Sequence, residues 1–111
     1  MAVMTGLTAL SPVVIISNMF AMLMLSERHA LSETSFVEMV LWRLPSPLPG
    51  SSHGFKYRLA LVVNGICVLR YDNETGKGDN KHEGSVEIPY HFTSPQLLLD
   101  DFWHDVDRWR Y

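Results

Sequence analysis

The dipeptide Asn64-Gly65 separates two apolar runs, Tyr57 to Val63 and Ile66 to Tyr71. Both residues tolerate the positive φ that a type I′ turn needs at its two central positions, so the pattern predicts a β-hairpin. A two-residue loop also sets the register. Val63 is expected opposite Ile66, Leu61 opposite Val68, Leu59 opposite Arg70 and Tyr57 opposite Asp72. Strand side chains alternate between faces. One face should then carry Tyr57, Leu59, Leu61, Val63, Ile66, Val68, Arg70 and Asp72, and the other Lys56, Arg58, Ala60, Val62, Cys67, Leu69, Tyr71 and Asn73. Both faces are apolar near the turn and polar at the open end. That predicts a central hairpin covered on both sides, with any site at its open end.

The neighbouring segments place this hairpin. Ser35 to Arg43 is rich in strand formers and reads as a further strand. Pro45, Pro47, Pro49 and Gly50 then require a loop, because proline cannot continue a ladder. Glu74 to Gly84 reads as a polar loop, and Val86 to Tyr90 as a short edge strand interrupted by Pro89. Ser94 and Pro95 are a helix cap and first-turn proline, and Leu98, Leu99, Phe102, Val106 and Trp109 recur at helical spacing. Asp100, Asp101, Asp105 and Asp107 fill much of the remaining helix surface and are read as a solvated face. The fold class is α+β: a small antiparallel sheet of about four strands, with a C-terminal amphipathic helix packed on it.

The chain has 111 residues, enough for one domain. One cysteine excludes an internal disulfide and a cysteine-based zinc site, and a net charge of -3 excludes a globally basic nucleic-acid binder. Cys67, inside an apolar strand, reads as a buried inert thiol. Residues 1–24 form an apolar extension, and the first charged side chain is Glu27. The favoured reading is an incorrectly placed start, with Met19, Met22 or Met24 as alternatives; a core-packed helix comes next and a membrane segment last. Residues 25–111 are then the single domain.

Arg70, Tyr71, Asp72 and Asn73, followed by Lys77, Asp79, Asn80, Lys81 and His82, crowd one stretch with polar groups. Arginine and lysine hold phosphate and offset charge that develops on it. Histidine moves a proton near neutral pH. Asp72 could orient His82 or an arginine, and Tyr71 or Tyr57 could stack on a base. The set suits metal-independent RNA cleavage. The plainer alternative is that Arg70 and Asp72 pair with each other and the glycines serve turns. No metal site is expected, since Asp79 and His82 have no second histidine at ligand-like spacing. His29, His53, His91 and His104 are scattered and read as surface residues.

Lys56 to Gly65, followed by Val68-Leu69-Arg70-Tyr71-Asp72-Asn73, resembles the core of the TumE-type toxins of type II toxin–antitoxin systems. Glu27-Arg28-His29, Ser35-Phe36-Val37-Glu38, Trp42-Arg43, Gly76-Lys77-Gly78-Asp79, Lys81-His82 and Phe102-Trp103 extend the resemblance from about Leu25 to Trp109. It implies a small cytoplasmic toxin held inactive by a helix-turn-helix type antitoxin, with no cofactor and no membrane association. A ribonuclease of the RelE kind is an inference from size, the α+β pattern and the site. The chain departs from the family pattern in two places. The first twenty or so residues have no counterpart. The usual Gly-Asp-His-x-His reads Gly78-Asp79-Asn80-Lys81-His82 here, and asparagine cannot shuttle a proton.

The site expectation is therefore His82, Arg70, Asp72, Tyr71 and Asn80 at the chemistry, with Lys56, Arg58, Asn73, Lys77, Asp79 and Lys81 toward substrate. The alternatives are a non-enzymatic module that acts by occupying a protein or nucleic-acid target, a toxin inactivated at Asn80, and a small membrane-associated protein.

Overall fold

The computed structural model describes residues 13–16 and 19–109. Its strands are β1 (Val13–Ile16), β2 (Met19–Ala30), β3 (Ser35–Arg43), β4 (Phe55–Val63), β5 (Ile66–Glu74), β6 (Gly78–Glu83) and β7 (Val86–Pro89). One helix follows, α1 (Pro95–Trp109). The strands lie in chain order in one antiparallel sheet. The α+β class and the terminal helix agree with the sequence, but six strands run from Met19 to Pro89 and a short seventh lies at the edge, in place of about four.

Two of the added strands have clear causes. β2 begins in an apolar run that helix and strand periodicity do not separate. It satisfies the free edge of β3, and its Arg28 meets Glu38 across the pair at 3.2 Å. β6 has no apolar alternation to read. Glu74 to Gly84 is not a loop but a tight turn and then a strand, because the unpaired backbone groups of β5 need partners.

The Asn64-Gly65 turn forms as its chemistry requires, with φ of 52° and 78°. Val63 faces Ile66 and Val62 faces Cys67, but the next pair is Leu61 with Leu69. Val68 is a bulge residue, and beyond it β5 is turned over relative to the expected register. Leu59 faces Tyr71 instead of Arg70, and Arg58 instead of Tyr57 faces Asp72. The bulge corrects the face assignment. Tyr57, Leu59, Leu61, Leu69, Tyr71 and Asn73 share one buried face, and Arg58, Arg70 and Asp72 share the other.

Helix α1 covers the first of these faces. Leu98, Phe102 and Val106 are fully buried against Val37, Met39, Leu41, Tyr57, Leu59, Leu61, Leu69 and Tyr71. The Ser94 hydroxyl accepts from the Leu97 N–H at 3.1 Å, closing the helix start. The hairpin is central in the sheet, as expected, but it is not covered on both sides by secondary structure. Among the described residues no second helix or sheet lies across the other face. Cys67 is exposed, not buried, because it sits beside the turn where that face opens.

The proline segment between β3 and β4 is a loop, and it is fastened to the β5–β6 turn. The Gly76 N–H donates to the Pro49 carbonyl at 2.8 Å. A side chain at Gly50 would bring its Cβ within 3.2 Å of the Gly76 Cα, and Gly50 has φ of 84°. Glycine is required there by both contact and conformation.

Candidate functional site

The β5–β6 pairing sets Arg70 opposite His82 and Asp72 opposite Asn80. The bulge has already turned Arg70 and Asp72 away from the helix, so these residues meet on the open sheet face. Arg70 Nε lies 2.9 Å from Asp72 Oδ2, and Arg70 Nη2 lies 3.1 Å from His82 Nε2. His82 Nε2 is 3.6 Å from both Asp72 Oδ1 and Glu87 Oε2. Asp72 is 8% exposed. Its Oδ1 and the Arg70 Nε are buried without a well-aligned hydrogen bond, so the short Arg70–Asp72 contact is an ion pair rather than a satisfied donor and acceptor. Arg58 stands opposite Asp72, is exposed, and has no ion pair among the described residues.

Other residues proposed from the sequence lie elsewhere. Tyr71 points into the core and donates to Asp105 Oδ2. Lys81, its neighbour across the pair, also faces the helix and lies 2.7 Å from Asp105. Burial and the Asp105 hydrogen bond push the Tyr71 hydroxyl far above its ordinary value. Burial is the largest single influence on Lys81 and opposes its charge, but the hydrogen bonds and charges of Asp105 and Glu83 together outweigh it and raise the ammonium. Burial also works against Asp105, yet Lys81, Tyr71 and Arg108 together hold its carboxyl below the usual range. Asp105 is thus a buried anchor of the helix, not part of a solvated acidic face. Tyr90 fixes a second point by donating to Asp101 at 2.6 Å.

Asn73 stands where the β4–β5 backbone ladder ends. Its Oδ1 accepts from the Tyr57 N–H at 3.0 Å and its Nδ2 donates to the Phe55 carbonyl at 2.7 Å, so the side chain continues the ladder. Lys56 donates to the Asn73 carbonyl at 2.6 Å. Asn73→Ala leaves the buried Tyr57 N–H and the half-buried Phe55 carbonyl without this partner and is expected to destabilise the fold by about 2 kcal/mol. A urea midpoint unchanged from wild type would contradict this.

Asn80 is 9% exposed and donates to the Gly78 carbonyl at 3.3 Å, beside Asp72 in the register. Lys77 lies in the turn, 3.2 Å from Glu87 and 3.7 Å from Glu74. Asp79 faces the helix side. Its Oδ2 accepts from the Tyr57 hydroxyl at 2.6 Å and lies 2.8 Å from His53 Nε2.

His53 is not the surface residue expected. Its side chain is 12% exposed and its ring is stacked on Phe92 with centroids 3.9 Å apart. Its Nδ1 accepts from the Phe55 N–H, which leaves Nε2 to donate to Asp79. With both nitrogens engaged, His53 ties the proline loop to β6. Glu87 was also missed. Its place beside His82 depends on the β6–β7 register, which pairs the two residues, and no motif in the sequence marks it.

Among the described residues no three His, Cys, Asp or Glu side chains are grouped to hold a metal ion, and no helix is long and apolar enough to cross a membrane. The open-face cluster can bind an anion through arginine and exchange a proton through histidine. No curated protein and no solved structure matches the chain. The family model for Toxin TumE matches residues 11–110, a span that includes every element of the sheet and nearly all of the chain, so the family pattern begins about ten residues earlier than the sequence reading expected. The chain belongs to the TumE toxin family.

Proposed function

We propose that this toxin arrests growth by acting on RNA from the open face of its sheet. Arg58 and Arg70 hold phosphate, His82 moves the proton, and Asp72 orients both Arg70 and His82. The observation that carries this reading is the convergence of Arg70, Asp72 and His82 on that face, with the exposed Arg58, which has no ion pair among the described residues, opposite Asp72. The charge layout supports it as well. Asp100, Asp101, Asp105 and Asp107 lie on α1, which packs on the other face, so these four carboxylates are kept away from the cluster, whose own acidic groups are Asp72 and Glu87. The reaction would be attack of a ribose 2′-oxygen on the adjacent phosphorus with loss of the 5′-oxygen. His82 would carry the proton and the arginines would offset the charge on phosphate.

In this reading Tyr71, Asn73, Asp79 and Lys81 support the fold, as do Lys56 and Asn80, and Lys77 stays with its carboxylates at the rim. The partner is a helix-turn-helix type antitoxin, and the setting is cytoplasmic. Induction of His82→Ala is expected to lose growth arrest, with about a hundredfold or greater loss of activity on RNA. Its urea midpoint should stay near that of wild type. Arg58→Ala should weaken arrest without loss of stability. Full arrest by a folded His82→Ala protein would instead favour action by occupancy of a target.

A further inference from the structure

The cluster contains more acceptors than its present hydrogen bonds use. With the imidazole neutral, His82 Nε2 offers a lone pair to Arg70 Nη2 at 3.1 Å. In that arrangement Asp72 Oδ1 is buried without a hydrogen bond among the described residues, although it lies only 3.6 Å from the same nitrogen. Protonated histidine has two N–H donors and no acceptor. A proton on Nε2 would therefore break the Arg70 contact and turn the ring toward the carboxylates. Glu87 Oε2 stands at the same 3.6 Å on the β7 side.

We propose that His82 exchanges partners when it is protonated, from Arg70 to Asp72, with Glu87 as a positioning residue that holds the imidazolium, and that the exchange frees the Arg70 guanidinium for a phosphodiester. The inference rests on the RNA reading and adds how its phosphate site is loaded. The proton comes from solvent, and no covalent bond changes. The charged groups facing the ring are Arg70 and Asp72 of β5 and Glu87 of β7. Lys77 in the β5–β6 turn pairs with Glu87 and moderates it, and Arg58 of β4 stands across from Asp72.

Two properties favour this exchange. A buried carboxylate oxygen with no donor is costly, and a charge-assisted hydrogen bond from the imidazolium relieves it. The movement is also small, because closing a contact of 3.6 Å to a hydrogen bond takes about 0.7 Å.

The test uses the full chain and two readouts. Nitrogen NMR of the side chains follows His82 and the Arg70 guanidinium between about pH 8 and about pH 5.5, the range in which histidine exchanges its proton. Fluorescence anisotropy measures binding of a short oligothymidylate, which has phosphodiesters but no 2′-hydroxyl to react and no base that titrates in this range. In wild type, the Arg70 signals should move with the His82 ring. Oligothymidylate should bind about tenfold more tightly at the lower pH. Asp72→Asn and Glu87→Gln should each reduce that pH dependence, while Glu33→Gln, which removes an exposed carboxylate in the β2–β3 turn beside the Asn64 turn, should keep it. Arg70 signals that stay fixed while the His82 ring takes up its proton would overturn the exchange. Absence of oligothymidylate binding at both pH values, with Arg70 still following His82, would overturn the RNA reading and leave the exchange standing.

Discussion

Deletion of Ala60 is expected to leave no folded domain, whereas deletion of Val68 is expected to leave the fold intact. β4 is paired on both edges, and its register with β3 runs through nine consecutive positions without a break. Removing Ala60 turns one half of β4 over. Either Tyr57 and Leu59 or Leu61 leaves the core, and each is at most 1% exposed now. Burial of such a side chain contributes about 1.5–3 kcal/mol, and the flipped segment also presents polar groups to the core. The combined loss approaches the whole stability of a small domain, about 5–15 kcal/mol. Val68 is the residue that the ladder does not count. Without it, Cys67 and Leu69 become consecutive ladder positions and Tyr71 stays opposite Leu59. What is lost is the half-buried valine and the Gly84 N–H bond to its carbonyl, about 1–2 kcal/mol together. Urea denaturation and amide NMR dispersion distinguish the two proteins. Equal collapse of both would show that the bulge is not a spare residue.

Asp105→Ala is expected to destabilise the domain by about 3 kcal/mol, because it removes the buried carboxylate that both the Lys81 ammonium and the Tyr71 hydroxyl bond beneath α1, leaving Lys81 only Glu83 at 3.4 Å. The effect should depend on pH in a definite direction. The Asp105 carboxyl is held below its ordinary 3.8, so the stability it provides is complete above that value and is lost as the pH falls through its lower folded value. Lys81 is raised above 10.5, so its share is complete below that value and is lost as the pH rises past its folded value. The difference in urea midpoint between wild type and Asp105→Ala should therefore be flat through neutral pH and narrow on the acid side below about pH 4. A constant difference down to pH 2 would mean that Asp105 acts by packing and not by charge.

How much of this was legible in the sequence differs from residue to residue. The Asn64-Gly65 turn, the strand Ser35–Arg43, the proline loop and the Ser94-Pro95 helix start were all readable. Each depends on local preferences: positive φ, β-branching, a missing N–H and a side-chain cap. The TumE resemblance was readable for the same reason, since its motifs are short and contiguous. β2 and β6 were not readable, because a strand with an ambiguous or polar pattern forms only when a neighbouring edge needs its hydrogen bonds.

The candidate site shows the same division. Arg70, Asp72 and His82 stood out by residue type, and Arg58 by its place on the hairpin. Which of their neighbours joined them was decided by one surplus residue. The Val68 bulge turned Tyr71 into the core and Arg70 outward, and a strand has period two, so one residue changes every side downstream. The β6 register then divided a continuous polar stretch, with Asn80 and His82 on one face and Asp79 and Lys81 on the other. His53 acquired its partner Asp79 from a strand 26 residues away, and Glu87 met His82 through the register of its own hairpin. Local chemistry determined the elements and named the reactive groups; long-range pairing decided which of those groups share a face.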